Sequence, residues 1–139
     1  MASAFFNTAF REFMLANIEL IDDTINYAFM KSSWTPNIDT EDYYDDVSAH
    51  VAGGSSVAAL GGKTLTVDTT NDLVYFDATD LSLSNQTFSD ASNKILIYRS
   101  TGVASTSQLI CYIEITSIQP VAGTVAVTWA AGGLFSLGN

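Results

Sequence analysis

Five carboxylates crowd the segment from residue 38 to residue 50, and hard cations such as Ca²⁺ are bound by several oxygen ligands of this kind. Their spacing does not match the loop of an EF-hand, which also requires a central glycine. The pattern therefore favours a solvated acidic face over a calcium site, and we predict no metal site and no cofactor. The five residues are Asp39, Glu41, Asp42, Asp45 and Asp46.

A second pair of carboxylates, Asp77 and Asp80, is close enough in sequence to suggest general acid and base catalysis on a glycosidic bond. Both residues flank the end of an apolar run, where hydrogen bonds within a turn would account for them. We therefore expect no hydrolase here. Release of sugars from a bacterial surface polysaccharide would contradict that expectation.

Nucleophilic catalysis requires a serine, cysteine or threonine with a base in reach. The single histidine, His50, and the single cysteine, Cys111, lie in unrelated contexts, and Cys111 is expected to be a small core residue. Gly62-Lys63-Thr64 carries three letters of a phosphate loop, but no glycine precedes them at the required distance and a strand pattern follows. We predict that the chain is not an enzyme and has no catalytic residues.

Exposed aromatic side chains could stack on sugars or on a partner protein. Trp34 lies in a proline-containing turn, and Tyr43 and Tyr44 stand inside the acidic segment. Trp129 shares a strand face with two valines, so it is expected in the core. A glycan-binding or receptor-binding module therefore stays open as an alternative function.

The charge of the chain excludes other partners. Fifteen acids and five bases give a formal net charge of −10 over 139 residues. Nucleic-acid binding requires clustered lysines and arginines that displace counterions from phosphates, and an anionic membrane surface would repel such a chain. We predict no nucleic-acid partner and no membrane partner; the first residues also lack the basic leader of a secretory signal.

The elements that must position these residues are mostly strands. Three apolar runs near the end predict consecutive strands of one antiparallel sheet: residues 94–99, 109–115 and 124–129. Further strands are expected at residues 24–30, 56–60, 63–67, 73–78 and 81–83, with a polar loop at residues 85–93. Their spacing is typical of an antiparallel β-sandwich or a small barrel.

The N-terminal segment predicts one amphipathic helix, capped by Ser3 and running to about Ala16, with Arg11 and Glu12 off its aromatic stripe. A short helix or loop capped by Asp39 or Thr40 is expected in the acidic segment. The predicted fold class is therefore mainly β, with an N-terminal helix or arm at residues 1–17 and a single β domain at residues 18–139.

Several stretches, taken in order, resemble a family of small virion structural proteins of tailed bacteriophages. The resemblance covers most of the chain and departs most at residues 39–56, where the acidic tyrosine-containing segment stands. The stretches that carry it are Asp23-Thr-Ile25, Trp34-Thr-Pro-Asn37, Gly62-Lys-Thr-Leu-Thr66, Phe76-Asp-Ala-Thr-Asp-Leu-Ser82, Ile97-Tyr98, Ser107-Gln-Leu-Ile-Cys-Tyr-Ile113, Val125-Ala-Val-Thr-Trp129 and Gly133-Leu-Phe-Ser-Leu137.

The resemblance implies a non-enzymatic particle component, first of all a capsid decoration or cement protein on the outer capsid surface of the virion. Its partners would be the major capsid protein or other virion subunits, with a homo-oligomer expected and assembly in the host cytoplasm. A tail, collar or fibre role is the alternative. The predicted partner-contact residues are Phe5, Phe6, Phe10, Trp34, Tyr43 and Tyr44.

Overall fold

A computed structural model describes residues 3–138, with Ser3 described by its backbone alone. The chain is mainly β and all of its paired strands are antiparallel, so the predicted fold class is confirmed as a sandwich-like arrangement. No helix in the described part of the chain is long and apolar enough to cross a membrane.

Within residues 3–138, ten strands and two α-helices follow one another. The helices are α1 (Asn7–Met14) and α2 (Tyr44–Val47). The strands are β1 (Ser3–Phe5), β2 (Ile25–Lys31), β3 (Val57–Ala59), β4 (Thr64–Asp68), β5 (Leu73–Asp77), β6 (Leu81–Gln86), β7 (Ser92–Arg99), β8 (Leu109–Ile118), β9 (Gly123–Val127) and β10 (Phe135–Gly138).

The strands form three sheets. A five-stranded sheet has the order β1-β8-β7-β2-β3, a three-stranded sheet the order β10-β5-β4, and β6 pairs with β9. The two smaller sheets cover one face of the large one, and the main hydrophobic core lies between them. Its large fully buried side chains include Ile25, Phe29, Phe76, Ile95 and Ile97.

The other face of the large sheet is buried as well. Ala28, Met30, Leu96 and Leu109 form a second core there, covered by Phe6 and by side chains from the segment between β2 and β3. β7 accordingly carries four consecutive buried residues, Ile95 to Tyr98, which is the pattern of a strand enclosed on both sides.

The third of the C-terminal apolar runs does not join the sheet of the first two. β7 pairs with β8 as expected, but β9 pairs with β6 in the second layer. The chain crosses between layers at residues 119–122, where the Phe88 N–H donates to the Pro120 carbonyl and the Ala122 N–H to the Thr87 hydroxyl. The prediction of one sheet for all three runs was wrong because a strand buried on one face fits either layer.

The chain before α1 is a strand and not the first turn of a helix. Ser3–Phe5 pairs with β8, and α1 begins at Asn7 without a side-chain cap, so the predicted cap at Ser3 was wrong. Phe5 packs against the main core and Phe6 belongs to the second core. An extended backbone sends neighbouring side chains to opposite faces, which lets these two residues reach both cores.

Two further expectations about bounds were wrong. The loop predicted at residues 85–93 is shorter, because β6 extends to Gln86 and β7 begins at Ser92. In the acidic segment α2 begins after Tyr43, and neither Asp39 nor Thr40 caps it. The division of the chain at residue 17 stays a prediction; the structure shows that β1 and Phe6 pack with the β strands.

Candidate functional site

The three N-terminal phenylalanines predicted to contact a partner have different surroundings. Phe6 is fully buried in the second core, so it stabilises the fold and is not available to a partner. Phe5 is half-buried, with its ring 5.0 Å edge-on from Phe135 and 4.9 Å from Phe10. Phe10 is 43% exposed. Of the three, Phe10 is therefore the side chain best placed for a contact.

Trp34 is a core residue, which corrects its prediction as a contact residue. It is 2% exposed, and its indole N–H donates to Glu41 Oε1 at 3.2 Å. Its ring lies beside the ring of His50, with 6.5 Å between centroids and an angle of 21° between the ring planes. A buried indole whose single donor is satisfied has no free face for a sugar.

Tyr43 and Tyr44 are half-buried. Tyr44 stacks on Tyr98 with 4.4 Å between ring centroids, and burial, together with the neighbouring Tyr98, raises the pKa of Tyr44 to about 12. Trp129 is buried, as predicted, and donates its indole N–H to the Thr79 carbonyl. The four aromatics do not form one exposed platform.

Two carboxylates of the acidic segment, Glu41 and Asp46, act as local hydrogen-bond acceptors. Asp46 Oδ2 accepts from the N–H groups of Asp42 and Tyr43 at 2.9 and 3.0 Å, which fixes the start of α2. Glu41 accepts from Trp34 and from the Asn37 N–H. Within residues 3–138, no three His, Cys, Asp or Glu side chains are grouped to hold a metal ion.

The other candidates for chemistry also have structural partners. Asp77 accepts from the Ala78 N–H at 2.9 Å and Asp80 from the Trp129 N–H at 3.0 Å, so both stabilise turns and strand ends. Cys111 is fully buried in the main core, as predicted, and burial raises the pKa of its thiol far above the usual value. A thiol in that state is a poor nucleophile.

The sequence pattern missed the role of Glu12, which was expected off the aromatic stripe and is only 3% exposed. Glu12 Oε1 accepts from Arg11 at 2.7 Å and Oε2 from Asn17 Nδ2 at 2.6 Å. The hydrogen bond from Asn17, followed by that from Arg11 and helped by Gln108, lowers the pKa of Glu12. Glu12 therefore links α1 to the chain that follows it.

Two apolar surfaces remain exposed on this scaffold. The first, the helix patch, consists of Phe10, Met14 and Leu15 at the end of α1, which are 43%, 81% and 61% exposed. It adjoins Phe5 through Phe10. Of the predicted contact residues, the helix patch contains Phe10, and it adds Met14 and Leu15, whereas Phe6 is buried.

The second surface, the edge patch, consists of Leu65, Val67, Val74 and Leu137 on the three-stranded sheet. These residues are 48%, 68%, 38% and 38% exposed. The register pairs Val67 with Val74 and Val74 with Leu137, so their side chains lie in one row on one face.

The edge patch continues the inner face of its sheet. The neighbouring row on that face contains Phe76 and Phe135, whose stacked rings are buried in the main core. Nearer the loop at residues 69–72, the same face is exposed. The sheet therefore presents to solvent the side that sandwiches normally bury.

A third feature is a groove of about 880 Å³ between the second half of β8 and β9. Its lining mixes apolar residues with threonines: the buried Val125 and Val127 and the isoleucines Ile115 and Ile118 line it together with Thr116, Thr124 and Thr128. Glu114 is the one charged residue that lines it.

Comparisons with known proteins add no relative: no family model matches the chain, and neither a curated protein nor a solved structure matches it significantly.

Proposed function

We propose that this chain is a non-enzymatic structural subunit of a tailed-bacteriophage virion, and that it decorates the outer surface of the capsid shell. The observation that carries the proposal is the pair of exposed apolar surfaces on a β scaffold enclosed by two cores. Exposed apolar side chains that lie side by side on a small domain are typical of sites of protein association.

The organisation of the polar residues supports the same proposal. Glu41 and Asp46 of the acidic segment, together with Asp77, Asp80 and Glu12, accept hydrogen bonds that fix turns, helix ends or the N-terminal helix. These residues therefore have structural roles that explain their positions without a reaction. The resemblance to small virion proteins indicates that the particle is a phage virion. The two apolar patches are the surfaces through which the chain would attach to it.

The charge supports an outer position. A net charge of −10 is repelled by packaged DNA, whose phosphates attract basic proteins. It also keeps free copies soluble before they attach. On a shell lattice, many weak contacts of one subunit type give strong collective binding.

The number of copies per particle tests the proposal. Purified virions would be analysed by quantitative mass spectrometry with isotope-labelled peptides of this chain and of the major shell protein. A decoration protein is expected in a fixed, near-stoichiometric ratio to the shell protein. A ratio typical of a neck or fibre, a few copies per particle, would replace the capsid role by the tail alternative. Absence from virions would overturn the proposal.

A second measurement addresses the function itself. Particles stripped of this chain should lose resistance to heating or osmotic shock, and added purified chain should restore it. Particles that are equally stable with and without the chain would show that it does not cement the shell.

A further inference from the structure

The outer edge of β4 is an unpaired strand edge. β4 pairs with β5 and with no other strand in the described chain. An edge of this kind presents N–H and C=O groups that another strand can bind. Which residues present them follows from the hydrogen bonds on the far side of β5.

The Leu134 N–H donates to the Phe76 carbonyl at 2.8 Å, so Phe76 directs its carbonyl toward β10. Successive residues of an antiparallel strand direct their backbone groups to opposite edges. Tyr75 therefore faces β4, and its partner Thr66 faces back toward β5. Leu65 and Val67, on either side of Thr66, direct their N–H and C=O groups to the open edge.

The side chains of these two residues belong to the edge patch. A strand added to β4 would thus bond to the backbone of Leu65 and Val67 and lay alternate side chains beside Val67 and its neighbours. Exposed backbone groups and exposed apolar side chains coincide at one place.

Charge identifies the kind of strand that fits. Residues 61–80 contain four aspartates and a single base, Lys63, whose ammonium group donates to the Asp23 carbonyl. Asp68 lies on β4 itself and points to the face opposite the edge patch, while Asp72 lies in the adjoining loop. A second copy of this chain would bring the same negative charges to the edge, whereas a basic segment would be attracted.

We propose that the edge of β4 and the edge patch bind an extended segment of another protein in which apolar residues alternate with lysine or arginine. The apolar side chains lie on Val67 and the rest of the edge patch, and the basic side chains lie on the opposite face beside Asp68. The identity of that protein as a shell subunit rests on the proposed function; the binding chemistry does not.

The groove between β8 and β9 is the competing surface, since it also lies between strands with an open edge. Its single carboxylate, Glu114, gives no preference for a basic occupant. The experiment therefore has to show where a peptide binds as well as whether it binds.

The probe is a short synthetic peptide of alternating valine and lysine with blocked ends, titrated into the ¹⁵N-labelled full chain. The amide signals of Leu65 and Val67 are expected to shift, and a peptide of alternating valine and glutamate is expected to leave them unchanged. Shifts confined to the β8–β9 groove, or equal binding of the acidic peptide, would overturn the proposal. So would shifts at β4 that depend on protein concentration without peptide, because they would indicate a second copy.

Two variants separate backbone from side chain. Val67→Pro removes an N–H that points to the open edge and leaves the bonds to β5 in place, and proline is tolerated on edge strands. Val67→Lys keeps the N–H and adds a charge that repels the basic peptide. Each is expected to weaken peptide binding at least tenfold, whereas Val121→Lys, at a residue 80% exposed elsewhere, should leave it unchanged. If Val67→Pro does not fold, Val67→Lys alone decides the test. Peptide binding by Val67→Lys that equals binding by the wild type would overturn the proposal.

Virions separate this inference from the proposed function. A chain with Val67→Lys is expected to be lost from particles that retain Val121→Lys. If both variants remain on the particle, the chain is a virion protein but does not attach through β4. If the wild-type chain is itself absent from virions, the proposed function fails, and the peptide titration alone decides the binding chemistry.

Discussion

Glu12 is a buried carboxylate whose ionised form is held by Asn17 and Arg11. Because its pKa is lowered on folding, Glu12 contributes stability that is fully present above the unfolded pKa of about 4.3. That contribution is lost as the pH falls through the folded pKa. Acid should therefore loosen the attachment of α1.

Glu12→Gln should lower the free energy of unfolding at pH 7 by about 1–3 kcal/mol, because an amide directs a donor toward donors. The difference from wild type should begin to shrink as the pH falls below the unfolded pKa of about 4.3, and it should shrink further until the native carboxylate is protonated below its lowered pKa. Urea unfolding at pH 7 and at acidic pH measures the difference in the free energy of unfolding, with Glu19→Gln, at an exposed residue, as control. A constant difference at all pH values would contradict the ionic role.

Gly133 illustrates a residue whose type is dictated by backbone geometry. Its φ is +75°, and a Cβ there would overlap the Phe76 carbonyl of the paired strand. Gly133→Ala should therefore cost at least about 2 kcal/mol, since the left-handed conformation alone costs about 1–2 kcal/mol for alanine.

The neighbouring glycine is the matched control for that substitution. At Gly132 no atom lies within 4 Å of the position that a Cβ would occupy, and its φ is not in the left-handed region. Gly132→Ala should change the free energy of unfolding by less than about 0.5 kcal/mol in the same urea titration. Equal effects at both positions would show that the close approach to Phe76 is not limiting.

At the scale of elements, β1 and α1 combine a structural and an exposed part. Phe6→Ala should lower the free energy of unfolding by about 3–5 kcal/mol, because it empties a fully buried site in the second core. Phe10→Ala should cost much less, since Phe10 is 43% exposed, yet it should weaken binding to particles if the helix patch is a contact. Thermal unfolding and co-sedimentation with virions give the two readouts. If Phe10→Ala weakens particle binding only as much as its loss of stability explains, the helix patch is not part of the interface.

Elements were predictable where side-chain periodicity depends on one strand alone. The alternation of Ile25, Tyr27 and Phe29 correctly indicated a strand, and the bulge opposite Ile97 and Tyr98 explains why Leu109 lies in the second core while Cys111 lies in the first. A bulge reverses the alternation that follows it, and its position depends on the partner strand. No pattern within β8 alone could have revealed it.

The candidate site was less predictable than the elements. Trp34 is buried because the segment after β2 folds back over the large sheet. The one signal of this in the sequence is the uninterrupted apolar run of β7, which is typical of a strand covered on both faces. Exposure of Val67 and Val74 depends on how far one layer of the sandwich covers the other. Both strands alternate as buried ones do, so the sequence alone could not distinguish them.

At the scale of the whole molecule, fifteen acids and five bases act on every approach of another protein. A net charge of −10 disfavours self-association through the edge patch and accelerates encounter with a basic surface. The negative charge therefore favours a basic partner and disfavours binding of a second copy of the chain. If the chain attached through its two apolar patches alone, with no basic surface on the partner, added salt would not weaken its binding.

Binding of the purified chain to stripped particles should weaken several-fold between about 50 and 300 mM NaCl, because the Debye length shortens from above about 10 Å to below about 8 Å. Co-sedimentation at graded chain concentrations gives the dissociation constant at each salt concentration. Substituting the edge aspartates, Asp68→Asn with Asp72→Asn, should reduce this dependence, whereas Asp22→Asn with Glu19→Gln, on exposed residues outside β4, should preserve it. Binding that is unaffected or strengthened by salt would mean that apolar contact alone attaches the chain, and the basic character assigned to the partner of β4 would be wrong.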